Sequence, residues 1–157
     1  MQEHLETLKA LALRHAKPGI FDTPVPGLNI SMVGQRTHPV IGMYQPRFCL
    51  VLQGAKEVTI GERRMRYDPN NYFIASLEVP ATGCVIEATQ SAPYVGLSMA
   101  RDAEMLAQLI AETPARDDGE TVSFAVSPVT AELLDPCVRL MRLLDSPADI
   151  AVLAPML

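Results

Sequence analysis

Few groups in this 157-residue chain could attack an electrophile, hold a metal or move a proton near neutral pH. They are three cysteines, three histidines and four tyrosines. The histidines are scattered: His4 and His15 lie near the amino terminus, and His38 precedes a proline, as loop residues do. None has the close spacing by which neighbouring strand positions present two imidazoles to one metal. Cys49, Cys84 and Cys137 are an odd number without metal-like spacing, which points to a reducing compartment and a cytoplasmic protein. Cys49 alternates with Val51 and Gln53, so the three share a strand face opposite Phe48, Leu50 and Leu52. A thiol on a cavity wall traps an electrophile such as an aldehyde only if a nearby cation lowers its pKa, and Arg47 and Lys56 are the candidates. The reading we favour is that Cys49 is a small buried apolar residue. Cys137 falls on a helical apolar stripe and is expected in the core. No Gly-x-Ser-x-Gly, phosphate-binding glycine loop or Cys-x-x-Cys occurs. Neither catalysis nor a cofactor is expected.

The elements that must position these groups fall into three zones. Residues 3 to 16 predict a helix, with Leu5, Leu8, Leu11 and Ala12 on one face and Pro18-Gly19 as the stop. From about residue 22 to 100 the chain changes to short strands between Pro, Gly and Asn. Leu28-Ile30-Met32 alternates with polar positions; then come 48–53, 56–60, 64–67, 72–76, 83–89 and 94–100. Seven strands in under eighty residues favour a barrel or sandwich. Pro39, Pro46, Pro69, Pro80 and Pro93 are placed between strands, since proline lacks the N–H a ladder needs. Gly54 supplies the backbone freedom of the Gln53–Lys56 turn, and Lys56 is expected to be solvated.

Beyond residue 100 the period becomes helical. Asp102 reads as the N-cap of a helix to about residue 112 carrying Ala103, Leu106, Leu109 and Ile110. Residues 113–120 read as an exposed loop and 121–126 as an edge strand. Ser127-Pro128 reads as the start of a helix bearing Leu133, Leu134, Cys137, Leu140, Met141 and Leu144, with Pro136 kinking it or starting a second helix. Ser146-Pro147-Ala148-Asp149 repeats a capping-box start. The final apolar helix has only Ile150 to Leu157, so we expect the chain to continue into a further domain; the alternative is a short tail packed on the barrel.

Charge narrows the class. Residues 1–100 hold nine Lys/Arg against eight Asp/Glu, and residues 101–157 hold four against ten, for a net −5. Such a balance is a poor match for DNA, whose binding rests on phosphate neutralisation. Arg63-Arg64-Met65-Arg66, the nearest thing to a basic patch, reads as a solvated strand face. No apolar run approaches the ~20 residues of a membrane span, and Met1-Gln-Glu-His-Leu-Glu lacks the features of a signal peptide.

One ordered series of segments has a specific look. Pro24-Val-Pro-Gly-Leu28, Tyr44-Gln-Pro46, Val51-Leu-Gln-Gly-Ala-Lys56, Tyr67-Asp-Pro69, Tyr72 to Ser76, Glu78-Val-Pro80, Glu87-Ala88, Ala92-Pro-Tyr94, Leu134-Asp-Pro136 and Leu153-Ala-Pro155 resemble the amino-terminal, effector-binding domain of the AraC family of transcription regulators. The resemblance runs from about Thr23 to Pro155. It implies a mainly β, cupin-like jelly-roll barrel with an N-terminal helix (1–20), a barrel over 21–126 with a helix inserted near 102–112, and a helical dimerisation or linker segment over 127–157. It also implies a small-molecule effector in the barrel, a homodimer, and DNA contact only through a carboxyl-terminal helix-turn-helix domain that this chain lacks. For a non-covalent effector the strand residues near the barrel mouth are Met32, Arg36, Tyr44, Cys49, Tyr72, Cys84 and Tyr94. For self-association the stripe is Leu133, Cys137, Leu140, Met141 and Leu144, which alternatively packs on the barrel.

Other cupins are metal enzymes. Where their histidine pair would lie after Gly54, this chain has Ile60 and Glu62. A free-standing cupin enzyme or carrier, or a dimerisation module with a collapsed barrel, are the alternative readings.

Overall fold

The computed structural model describes residues 1–112 and 124–157. Alternating apolar residues between tight turns give ten strands: β1 (Gly19–Asp22), β2 (Leu28–Val33), β3 (Val40–Tyr44), β4 (Arg47–Gln53), β5 (Ala55–Ile60), β6 (Arg63–Tyr67), β7 (Asn71–Ala75), β8 (Val79–Glu87), β9 (Tyr94–Ala100) and β10 (Phe124–Pro128). The seven strands read from the sequence are all present. β10 overlaps the edge strand read at 121–126. β1 and β3 are additional, and both are four- or five-residue edge strands that expose most of their side chains, so neither carries an alternating apolar signal.

The strands form two antiparallel sheets, one ordered β1-β2-β9-β4-β7-β10 and the other β3-β8-β5-β6. They face each other over a core of Cys49, Val51, Phe73, Ala75 and Tyr94 from the first sheet and Val58, Ile60, Met65, Tyr67, Ala81 and Val85 from the second. β6 lies against β7 and β10, closing one side. Tyr67 stacks on Phe73 at 5.6 Å between ring centroids, and Tyr44 meets Phe73 edge-on at 6.0 Å. These contacts tie the sheets together with geometry that aromatic quadrupoles favour.

The outer face of the larger sheet is equally apolar, because it is covered by helices. α1 (Gln2–His15) buries Leu5, Leu8, Leu11 and Ala12, as its periodicity predicts. Two further helices, α2 (Ala103–Glu112) and α3 (Ala131–Arg142), complete this layer, with α1 packed directly on α3. Leu28, Ile30, Phe48, Leu50, Leu52, Val95, Leu97 and Met99 meet the helices there. The larger sheet therefore has two buried faces. The predicted mainly β architecture with N- and C-terminal helices is the one observed.

Four local readings are corrected or fall outside the described residues. Pro80 lies within β8, opposite Met43 of edge strand β3. Ser127 and Pro128 end β10, and the N-cap of α3 is Thr130, whose Oγ1 accepts from the Leu133 N–H at 3.2 Å. Pro136 sits in the middle of a continuous α3, so its missing N–H removes one helical bond, to the Glu132 carbonyl, without ending the helix. Residues 113–123, read as a loop and the start of an edge strand, lie outside the described residues, as does the side chain of Leu109. The α2 start is as read, with Asp102 Oδ1 accepting from the N–H groups of Glu104 and Met105. The turn at Ser146 leads through Pro147–Asp149 into a short helix, α4 (Ile150–Leu153), without a side-chain cap bond.

Candidate functional site

Between the sheets lies a cavity of about 370 Å³. That volume is within the range of ordinary small-molecule sites. Its walls follow from strand alternation. β2 turns Asn29, Ser31 and Val33 inward while Leu28 and Ile30 face the helices; β9 turns in Tyr94, Gly96 and Ser98. β4 contributes Arg47 and Cys49, β5 Lys56, β6 Tyr67, and β8 Gly83 to Val85. The floor is buried, with Tyr67, Tyr94 and Cys49 almost inaccessible to solvent. The rim is apolar and open: Ile20 on β1 and Val40, Ile41 and Met43 on β3 are all exposed. These two edge strands leave the mouth between them.

Two glycines shape the interior. A Cβ at Gly83 would stand 2.6 Å from the Tyr44 hydroxyl and 3.5 Å from Lys56 Cε. A Cβ at Gly96 would stand 2.5 Å from the Tyr94 hydroxyl, whose ring folds back over its own strand. In both places the missing side chain makes room for a phenol. Gly54 serves the backbone instead. With φ +84 it turns β4 into β5, and a Cβ there would meet the Glu87 carbonyl oxygen at 2.4 Å. Gln53 secures the same turn by donating to the Pro93 carbonyl at 2.8 Å.

The charges in the cavity are of one sign. Lys56 Nζ lies 5.6 Å from the Tyr44 ring centroid and the Arg47 guanidinium 5.5 Å from it. No Asp or Glu is among the described residues that line the cavity. Burial works against the Lys56 charge, but the phenols of Tyr94 and Tyr44 and the thiol of Cys49 outweigh it and hold the amine above its ordinary pKa. Burial pushes the Cys49 thiol up, more than Lys56, Arg47 and the Ser98 hydroxyl 3.8 Å away pull it down. Burial likewise raises Tyr94, to about 12, and Tyr67 well above its usual value. At neutral pH the Cys49 thiol and the Tyr67 and Tyr94 phenols are therefore neutral, and Lys56 is charged.

The structure brings together four of the seven side chains proposed for an effector: Tyr44, Cys49, Cys84 and Tyr94 line the cavity. The other three lie elsewhere. Met32 packs in the helix-side core, Tyr72 lies there against Phe48 at 5.3 Å between centroids, and Arg36 is exposed on the loop after β2. Thr37, beside it, does reach the wall and binds the Val85 N–H through its hydroxyl at 2.9 Å. Sequence reasoning places Lys56 in solvent; it is half-buried in the wall. The signal that could have found the wall is the mixed row of β2, Asn29-Ser31-Val33, since a helix layer demands the purely apolar row.

The histidines, the α3 stripe and the β6 arginines occupy structural positions. His4 is on α1, 3.8 Å from Asp135; His15 binds Asp145 at 2.8 Å; His38 is on an exposed loop. Among the described residues no three His, Cys, Asp or Glu gather as a metal site. Of the α3 stripe and the turn after it, Cys137, Leu140, Met141 and Leu144 are buried in the core shared with α1, and Leu133 is half-buried. Arg64 and Arg66 point outward and pair with Glu57 (3.6 Å) and Glu87 (2.7 Å), which fits a solvated face. None of the helices among the described residues is long and apolar enough to cross a membrane.

Comparison with known proteins gives a family match over most of the chain and more distant structural likenesses. A family model described as the AraC-type transcriptional regulator N-terminus matches residues 24–157. No curated protein sequence matches. Among solved structures, an apo ToxT variant from Vibrio cholerae strain SCE256 aligns over 89% of this chain and 56% of its own, with a TM-score of 0.43 and 2% identity. KdgF from Halomonas sp. aligns over 55% of this chain and 92% of its own, with a TM-score of 0.31 and 20% identity. The chain thus spans just over half the length of the ToxT chain.

Proposed function

The chain belongs to the family of AraC-type transcriptional regulator N-termini, and from that premise we propose that it is the effector-sensing domain of a cytoplasmic DNA-binding regulator. It takes a small molecule into the cavity between its sheets and biases a carboxyl-terminal helix-turn-helix domain. The observation that carries this reading is the cavity itself, built from the inward rows of β2, β4, β5, β8 and β9. A switch of this kind requires the ligand to bind the two states of the whole regulator unequally. The core that walls the cavity continues through β4 and β9 into the helix layer, so occupancy can be felt at α1 and α3.

The position of the three histidines outside the cavity favours a sensor over a metal-dependent cupin enzyme. Self-association through α3 belongs to the same reading. It would have to use Leu133 and exposed neighbours, because the rest of the stripe is already covered.

Thermal unfolding against a broad metabolite set tests the proposal. A true effector at a hundred times its Kd adds about 2.7 kcal/mol, a rise in Tm of roughly 5–10 °C for a domain of this size. A folded protein that responds to no compound in the set, at any concentration, would overturn the effector reading.

A further inference from the structure

The cavity holds two cations and no acid among its described lining residues, although the chain as a whole is acidic. Two of the basic side chains of β6 are paired with carboxylates, Arg64 with Glu57 and Arg66 with Asp68 and Glu87, while Arg63 lies over the Phe124 ring. Lys56 and Arg47 have no carboxylate within ion-pair distance among the described residues. Arg47 Nε donates to the Gln45 carbonyl at 3.2 Å, and both cations lean on the one ring of Tyr44. Each lies within 5.6 Å of that centroid, so the two charges are at most twice that distance apart. Two cations that face a common space with no carboxylate among its described lining residues suit that space to an anion.

We propose that the ligand of this cavity is a small organic carboxylate, its charge taken by Lys56 and Arg47 and its apolar body lying under the rim of Ile20, Val40, Ile41 and Met43. The inference rests on the effector-domain reading and narrows it to a chemical class. Size and wall chemistry support it. At the ~30 Å³ that a water occupies in the liquid, 370 Å³ corresponds to roughly a dozen non-hydrogen atoms. The apolar rim suits a ligand with a hydrocarbon portion, whereas inorganic phosphate would leave that rim wet. The cavity also lacks a glycine-rich run of backbone N–H groups of the kind that cradles phosphate. A positive cavity in a negative protein would also focus anions toward its mouth.

Calorimetry on the intact chain tests this with named probes: butyrate, hexanoate, octanoate and benzoate, against hexanol, benzyl alcohol and inorganic phosphate. At least one carboxylate should bind at least tenfold more tightly than the alcohol of the same body, and more tightly than phosphate. Lys56→Met and Arg47→Met should each weaken that carboxylate tenfold or more, and Lys56→Arg should retain most of the affinity. Should one of the methionine variants fail to fold, the other and the acid-to-alcohol ratio still decide. Alcohols that bind as well as acids, with Lys56→Met indifferent, would sink the carboxylate and leave the effector domain standing. Phosphate preferred over every carboxylate would also overturn it. If none of the probes binds, the carboxylate falls, and the metabolite screen above separately decides whether the domain takes any effector.

Discussion

At the scale of single residues, the site is governed by which groups keep a charge once water is removed. Cys49 has two cations close enough to favour its thiolate, yet burial wins and the thiol stays protonated. That outcome separates geometry from reactivity: a cysteine on a cavity wall beside Lys56 and Arg47 is still a poor nucleophile. The three thiols should therefore differ under native conditions. Iodoacetamide at neutral pH should label Cys84, which is half-buried, while Cys49 and Cys137, both buried, react only after unfolding. Peptide mapping of the alkylated protein checks this, and native labelling of Cys49 ahead of Cys84 would contradict it. Gly83 and Gly96 work at the same scale, since each lets a tyrosine hydroxyl occupy the space of a Cβ.

At the scale of elements, the β4–β5 turn is the tightest constraint on the cavity. It brings Cys49 and Lys56 onto facing sheets, and its Gly54 combines a left-handed φ with a backbone oxygen 2.4 Å from any Cβ. Gly54→Ala should cost on the order of 3 kcal/mol, lowering Tm by about 6–12 °C. Gly61, in the two-residue β5–β6 turn, is the matched control. Its φ is +60, but nothing stands within 4 Å of its absent Cβ. Gly61→Ala should cost only about 1 kcal/mol, the left-handed penalty alone. Equal losses in the two variants by thermal unfolding would show that backbone conformation, rather than the Glu87 contact, sets the cost at Gly54. The sequence marks both turns, because glycine between two apolar alternating runs has few other uses.

At the scale of the whole molecule, the helix layer is pinned to itself at its end. Arg14 and His15 at the close of α1 both bind Asp145, in the turn after α3, and Arg14 donates through Nη1 to the carboxylate. The hydrogen bond from His15, joined by that from Arg14 and by the charges of both, holds the Asp145 carboxyl below its usual range, with desolvation offsetting part of the effect. A carboxyl depressed in the folded state stabilises the fold at every pH above its unfolded value near 3.9. The contribution fades as pH falls through the lower folded value. Urea unfolding at pH 7 should therefore show Asp145→Asn modestly less stable than wild type, with the gap closing below about pH 4. A gap that persists unchanged at pH 2 would mean that the residue acts through packing and not through its charge.

Much of this protein is legible from one dimension. Strand positions, the α1 stripe, the Asp102 cap and the division of β4 into two faces all follow from local periodicity and turn chemistry, which neighbouring residues determine among themselves. Which face lines the cavity does not follow. The larger sheet is buried on both sides, so an apolar row by itself does not say whether it meets the helices or the other sheet. Met32 and Tyr72 meet the helices, and the mixed row of Asn29 and Ser31 meets the cavity. Lys56 is the sharper case. A lysine two residues after a turn glycine is ordinarily solvated, and only the packing of β3 and its Tyr44 over Gly83 turns this one into a cavity wall. Local sequence determined the strands and their rows; long-range packing decided which row, and which charge, faces the cavity.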